Sequence, residues 1–221
     1  MCRECIAETD NPGPMANSNS LRGKPIPADG DLALFLSRWI RTPLRIGAVV
    51  PSSPRLAREM ARAIDTRSPR HVIELGGGTG SITRALLDAG VAAERLVVIE
   101  NDKRLARLLR HRFPHVHVIH GDARDMLALV RPLGVTSASG VVSGLPLISM
   151  PIETQKHIIA QSFALLGREG AFVQFTYGPV SPVLAPARTH LHAEVTGRVW
   201  RNFPPASVWR YRLHGSARAI P

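Results

Sequence analysis

Glycines and acids near the middle of the chain carry its most readable chemistry. The run Glu74-Leu75-Gly76-Gly77-Gly78-Thr79-Gly80 joins an apolar segment, His71 to Glu74, to a helix-forming segment that starts at Ser81. Residues without side chains let a backbone turn sharply and come close to a ligand at the carboxyl end of a strand. A second apolar segment, Leu96 to Ile99, ends in Glu100 with Asn101 beside it, 26 residues after Glu74. A carboxylate at a strand tip can accept hydrogen bonds from both hydroxyls of a ribose. A third extended segment, Val116 to His120, runs into Gly121-Asp122-Ala123, where Asp122 is placed to accept from an adenine amino group. Each feature alone has a plainer explanation, a steric turn or a solvated acid, so the weight rests on all three occurring in order.

The glycines fall at G-x-G-x-G, and Ser81 stands where a dinucleotide fingerprint has its third glycine, which favours S-adenosylmethionine over NAD. A fourth extended segment, Gly140 to Leu145, carries Ser143-Gly144-Leu145-Pro146-Leu147, and a fifth, Ala171 to Tyr177, ends in an aromatic hydroxyl. Tyr177 is the first candidate for contacting the substrate, either through its hydroxyl or by its ring face holding a cation. A hydroxyl that merely satisfies a loop carbonyl is the alternative. His157 is a weaker candidate for accepting a proton, because it falls inside a helical segment where histidines are usually surface residues. Backbone oxygens of Ser143 and Gly144 can orient a nitrogen.

These residues need a scaffold of alternating elements. Ser53 can cap a helix with Pro54 in its first turn and Leu56, Met60 and Ile64 on its apolar side. Helices are expected at Ser81 to Ala89, Lys103 to His111, Asp125 to Val130 and about Thr154 to Leu166, between the strands already named. Two final extended runs, near Ala193 to Trp200 and Val208 to Leu213, flank a connection containing Pro204 and Pro205, which suits an antiparallel pair at a sheet edge. The expected fold is α/β: a seven-stranded, mainly parallel sheet with an antiparallel C-terminal hairpin, helices on both faces and right-handed crossovers.

The 28 Lys and Arg exceed the 17 Asp and Glu by 11, a field that draws a protein towards phosphates in nucleic acid or in lipid headgroups. Residues 1–28, rich in Asn, Ser, Pro and Gly, are expected to be a disordered tail. Within 29–48, Leu32, Phe35, Leu36, Trp39 and Ile40 share one helical stripe, flanked by Arg38, Arg41 and Arg45, a pattern suited to an anionic bilayer surface. The same stripe could instead pack on the domain's own sheet. Residues 49–221 are expected to form the catalytic domain. No apolar run approaches the roughly 20 residues of a membrane-spanning helix, and the polar N-terminus lacks a signal-peptide segment. The expected location is therefore cytoplasmic. Cys2 and Cys5 form a CxxC without a second pair at zinc spacing, so no metal is expected.

The three cofactor features resemble the class I methyltransferase family over roughly residues 50 to 213. That resemblance implies a Rossmann-like fold, with Glu74 and the backbone of Gly76, Gly77, Gly78 and Gly80 around the methionine part of S-adenosylmethionine. It likewise implies Glu100 with Asn101 at the ribose, Asp122 with Ala123 at the adenine, and Ser143 at the rim. Adenine N6-methyltransferases of ribosomal RNA carry a motif resembling Asn-Leu-Pro-Tyr where this chain has Ser-Gly-Leu-Pro-Leu. With Leu147 in place of the aromatic ring, a flipped base loses a stacking contact worth about 1 to 3 kcal/mol. The stretches Phe35 to Ser53, Ser143 to Pro151 and Gln174 to Pro182 resemble instead the soluble bacterial phospholipid N-methyltransferases, which convert phosphatidylethanolamine towards phosphatidylcholine. That second resemblance implies a peripheral enzyme of the inner membrane whose acceptor is a lipid amine, with Tyr177 contacting that amine or its methylated ammonium, and Ser52 and Ser53 closing over the cofactor, although helix capping explains Ser53 equally well. Net charge and fold favour RNA adenine methylation as the alternative activity, and no obligate protein partner is inferred.

Overall fold

The computed structural model describes residues 53–200 and 205–215. Tail 1–28, the arginine-flanked segment 29–48 and Ser52 lie outside the described residues. The first described element is helix α1 (Pro54–Arg62), capped as expected by Ser53, whose Oγ accepts from the Leu56 amide at 3.3 Å. Strand and helix then alternate: β1 (His71–Leu75), α2 (Ser81–Asp88), β2 (Leu96–Glu100), α3 (Lys103–Arg112), β3 (His117–His120), α4 (Met126–Val130), β4 (Ala138–Ser143), α5 (Ile152–Leu166) and β5 (Ala171–Tyr177). The long strands β6 (Leu191–Val199) and β7 (Ala206–Leu213) complete the order.

The seven strands form one sheet in the order β3-β2-β1-β4-β5-β7-β6. Strands β1 to β5 are parallel, and β7 inserts antiparallel between β5 and β6. The expected architecture is therefore present, including the hairpin. Both hairpin strands start about two residues earlier than their apolar patterns suggested, because each extends by pairing with the other, Val199 opposite Ala206. Strand β4 shows the opposite difference and stops at Ser143, short of the expected Leu145. There the Gly144 amide makes the last rung, to the Leu75 carbonyl at 2.8 Å, after which the Leu145 amide turns back to Ser143 Oγ at 3.3 Å and Pro146 has no amide to give.

Side-chain alternation sorts the strands onto two apolar layers. Val72, Val98, Val142, Val173 and Val208 pack with α1, α2 and Leu109 of α3. Ile73, Leu75, Val97, Ile99, Val141 and Phe172 pack with Met126 and Val130 of α4 and with Ile158 and Leu166 of α5. Glu74 and Glu100 fall on the parity of Val72 and Val98, so both acids face the α1–α3 side. Phe175 and Tyr177 pack against that same layer. The parity of three strands thus collects the chemistry on one face, at the carboxyl rim where β1 lies between β2 and β4. That reversal of strand order is where open α/β sheets bind ligands.

Candidate cofactor and acceptor site

The glycine loop leaves β1 at Leu75 and enters α2 at Ser81. Gly80 caps α2 at φ +89°, and a Cβ placed there would lie 2.5 Å from the Phe113 ring, so both backbone and packing exclude a side chain. Gly144 faces the loop from β4, and a Cβ on it would meet the Gly76 carbonyl oxygen at 2.8 Å. The crown of the loop is open, since a Cβ on Gly78 would meet nothing within 4 Å.

Beneath this loop Glu74 is wholly buried. Its Oε2 accepts from the Thr83 hydroxyl at 2.7 Å, while Oε1 has no hydrogen-bond partner. Burial pushes its carboxyl up to about 8, against the pull of the Thr83 hydrogen bonds, and the nearby Glu100 charge adds to the rise. Glu100 Oε2 accepts from the Gly78 amide and Oε1 from the Asp102 amide, both at 2.8 Å. The strand-tip acid is thereby tied directly to the glycine loop. Asn101 contributes its carbonyl, 3.1 Å from His120 Nε2. Asp122 opens the turn Ala123–Asp125, accepting from the Arg124 amide and from Arg124 Nη2 at 2.8 Å each. The Arg124 side chain holds the Asp122 carboxyl below its ordinary value.

On the other side of the loop, Gly144, Leu145 and Pro146 form a narrow cleft with Gln174, Phe175 and Tyr177, of about 30 Å³. Gln174 Nε2 donates to the Leu145 carbonyl at 2.8 Å and fixes the path of this segment. The Ser143 hydroxyl is buried and accepts from the Leu145 amide at 3.3 Å. Leu147 is fully buried in the α4–α5 layer. Tyr177 ends β5 with its ring edge-on to Phe175 at 5.5 Å, and burial raises its hydroxyl above the ordinary phenol value. His157 is absent from the cleft lining: its Nε2 lies 2.9 Å from the Arg124 carbonyl. Among the described residues no group of three or more His, Cys, Asp or Glu is placed to hold a metal.

A model of the family described as ribosomal RNA adenine dimethylase matches residues 52–128. The chain is 36% identical over 91 residues to the ribosomal RNA small subunit methyltransferase A of a Synechococcus strain, covering 40% of this chain and 29% of that one. It is 38% identical over 152 residues to the ornithine lipid N-methyltransferase of Singulisphaera acidiphila, covering 67% of this chain and 79% of that protein. The chain belongs to that family of class I S-adenosylmethionine-dependent methyltransferases. Solved methyltransferases share its fold. A Burkholderia thailandensis 1,6-didemethyltoxoflavin N1-methyltransferase superposes with a TM-score of 0.59 at 17% identity over 86% of this chain and 92% of its own. An O-methyltransferase from Bacillus cereus gives 0.55 at 14% identity over 85% and 92%.

The methyltransferase uses S-adenosylmethionine as methyl donor. Its glycine loop and strand-tip acids fit that molecule on three counts: an open crown at Gly78, an orphaned buried oxygen on Glu74, and Glu100 poised beside the loop amides. The geometry gathers Glu74, Gly76, Gly77, Gly78, Gly80, Glu100, Ser143 and Gly144 around the β1 and β4 tips, with Asn101 and Asp122 on the adjoining β2 and β3 turns. Sequence reading missed Thr83, Arg124 and Gln174. Arg124 was within reach of it, two residues after Asp122. Thr83 and Gln174 act across element boundaries, so only the strand and helix packing exposes them.

Proposed function

We propose that this methyltransferase methylates the headgroup amine of a membrane lipid at the bilayer surface, phosphatidylethanolamine and its mono- and dimethyl forms on the way to phosphatidylcholine. The observation that carries the lipid reading is the extent of similarity. The RNA dimethylase match ends at residue 128, within the cofactor half. An alignment of 152 residues cannot fit before that point and so reaches the acceptor half, and it is with a lipid N-methyltransferase. The burial of Leu147 also removes the position where an RNA base would stack. The relative's name adds an ornithine lipid as an alternative amine acceptor of the same kind.

S-Adenosylmethionine supplies an electrophilic methyl on its sulfonium. A neutral amine attacks in line, forming the N–C bond as the S–C bond breaks, and the protein's task is alignment and exclusion of water. Glu100 would accept from the ribose hydroxyls while keeping its loop contacts. Glu74 Oε1 and the loop amides would meet the methionine end, and Asp122 with Ala123 the adenine. Carbonyls at Ser143 and Gly144 would orient the amine. The Tyr177 hydroxyl, whose pKa burial raises further above the ordinary phenol value, would accept a hydrogen bond from an amine N–H and offer its ring face to the methylated product.

Methyl-labelled cofactor, offered together with phosphatidylethanolamine vesicles, ornithine-lipid vesicles or ribosomal RNA, tests the proposal. Label is expected in the lipid extract, and Glu100→Ala is expected to weaken cofactor binding tenfold or more. Label confined to RNA would overturn the lipid reading, and label confined to ornithine lipid would replace phosphatidylethanolamine as the acceptor.

A further inference from the structure

Tyr177 has a second side. Beyond the narrow cleft it also lines a cavity of about 400 Å³ with Gly178, Pro179, Arg198, Trp200, Ala206 and Ser207. That size lies within the ~300 to 1,000 Å³ of ordinary small-molecule pockets. Its walls are mostly apolar surfaces, with Arg198 as the one charged group among the described residues that line it. At its rim Trp200 is 70% exposed, and Val180, next to Pro179 of the wall, is 57% exposed. The Arg198 guanidinium sits 6.0 Å from the Trp200 ring centroid. An exposed indole and valine beside a cation form the combination found where proteins meet the headgroup layer of a bilayer.

Resting on the lipid reading above, we propose that this cavity holds an apolar chain of the acceptor lipid. In that arrangement Arg198 pairs at the mouth with the oxyacid group the lipid carries, a phosphate or a carboxylate. Three features support this occupant. The cavity shares Tyr177 with the amine cleft, so one molecule can lie across both. The cleft is too small for more than the amine end of such a molecule, which leaves the cavity as the space beside it for a chain. A guanidinium is the complement of an oxyacid, and Trp200 can lie among acyl chains at the interface. Arg198 and Trp200 then act as positioning residues, holding the lipid so that its amine reaches the cleft.

Two monomeric short-chain probes brominated on their chains, a phosphatidylethanolamine and an N-acylated ornithine, test this by quenching of tryptophan fluorescence in the full-length protein carrying Trp39→Phe, which removes the other indole assigned to lipid contact. Saturable quenching by either probe is expected, the tighter one identifying the oxyacid. Trp200→Phe should remove the quenchable component, and Arg198→Ala should weaken binding about tenfold. Both positions are exposed, so neither substitution removes core packing. Quenching that persists in Trp200→Phe, or affinity unchanged in Arg198→Ala, overturns the assignment. Vesicle methylation separates it from the broader reading. Wild-type methylation with an unchanged lipid KM in Arg198→Ala sinks the cavity alone. No lipid methylation by the wild type sinks the acceptor reading, and the chain assignment with it, even if the probes quench.

Discussion

Glu74 shows how burial redefines a residue whose position was plain from the sequence. Strand periodicity placed it correctly at the β1 tip, but its proton depends on groups from elsewhere, the Thr83 hydroxyl on α2 and the closed layer around it. A folded-state value of about 8 lies above the unfolded value of 4.5. The protein is therefore most stable, as far as this group is concerned, below about pH 4.5. That contribution declines as pH rises towards about 8, on the order of a few kcal/mol in all. Urea unfolding at pH 5 and pH 8 should reveal the slope, and Glu74→Gln should flatten it. An equal slope in the variant would mean that another group carries the dependence. Asp122 was less legible: sequence order marked it for an adenine, and the structure adds that Arg124 already pairs with it, so a bound nucleoside would have to share that carboxylate.

At the scale of elements, the strand-to-helix turn at Gly80 is the part least able to change. Its φ of +89° and the Phe113 ring 2.5 Å from any added Cβ combine two independent penalties. Forcing an L-residue into that conformation costs roughly 1 to 2 kcal/mol before the clash is counted. Gly80→Ala is expected to lower the thermal midpoint by several degrees and to weaken cofactor binding, measured by calorimetry on the same sample. Normal stability with lost binding would place the constraint in the ligand contact instead of in the fold. Elements with a clean period were legible end to end, as Leu96–Glu100 and Ala171–Tyr177 were. The ends of β4, β6 and β7 were not, because the Leu145 amide turning back to Ser143 and mutual pairing across the hairpin set them.

For the whole molecule, an excess of 11 positive charges agrees with a partner rich in phosphate but does not name it. Much of that charge is displayed by α3, where Lys103, Arg104, Arg107, Arg110 and Arg112 are exposed beside the glycine loop. The proposed membrane-binding segment with Phe35, Arg38, Trp39, Arg41 and Arg45 lies outside the described residues, so its test is in solution. Trp39→Glu should reduce sedimentation with anionic vesicles while leaving S-adenosylmethionine affinity unchanged, and equal loss of both would make the segment a lid over the cofactor. The sheet order adds a constraint of another kind. Strand β6 has only β7 as a neighbour, yet β7 follows it in the chain and is also the strand that borders β5. A ribosome releasing this chain therefore exposes β6 before its neighbour β7 exists to pair with it. The apolar cavity beside Tyr177, lined by Ala206 and Ser207 of β7, cannot close before that strand has been made.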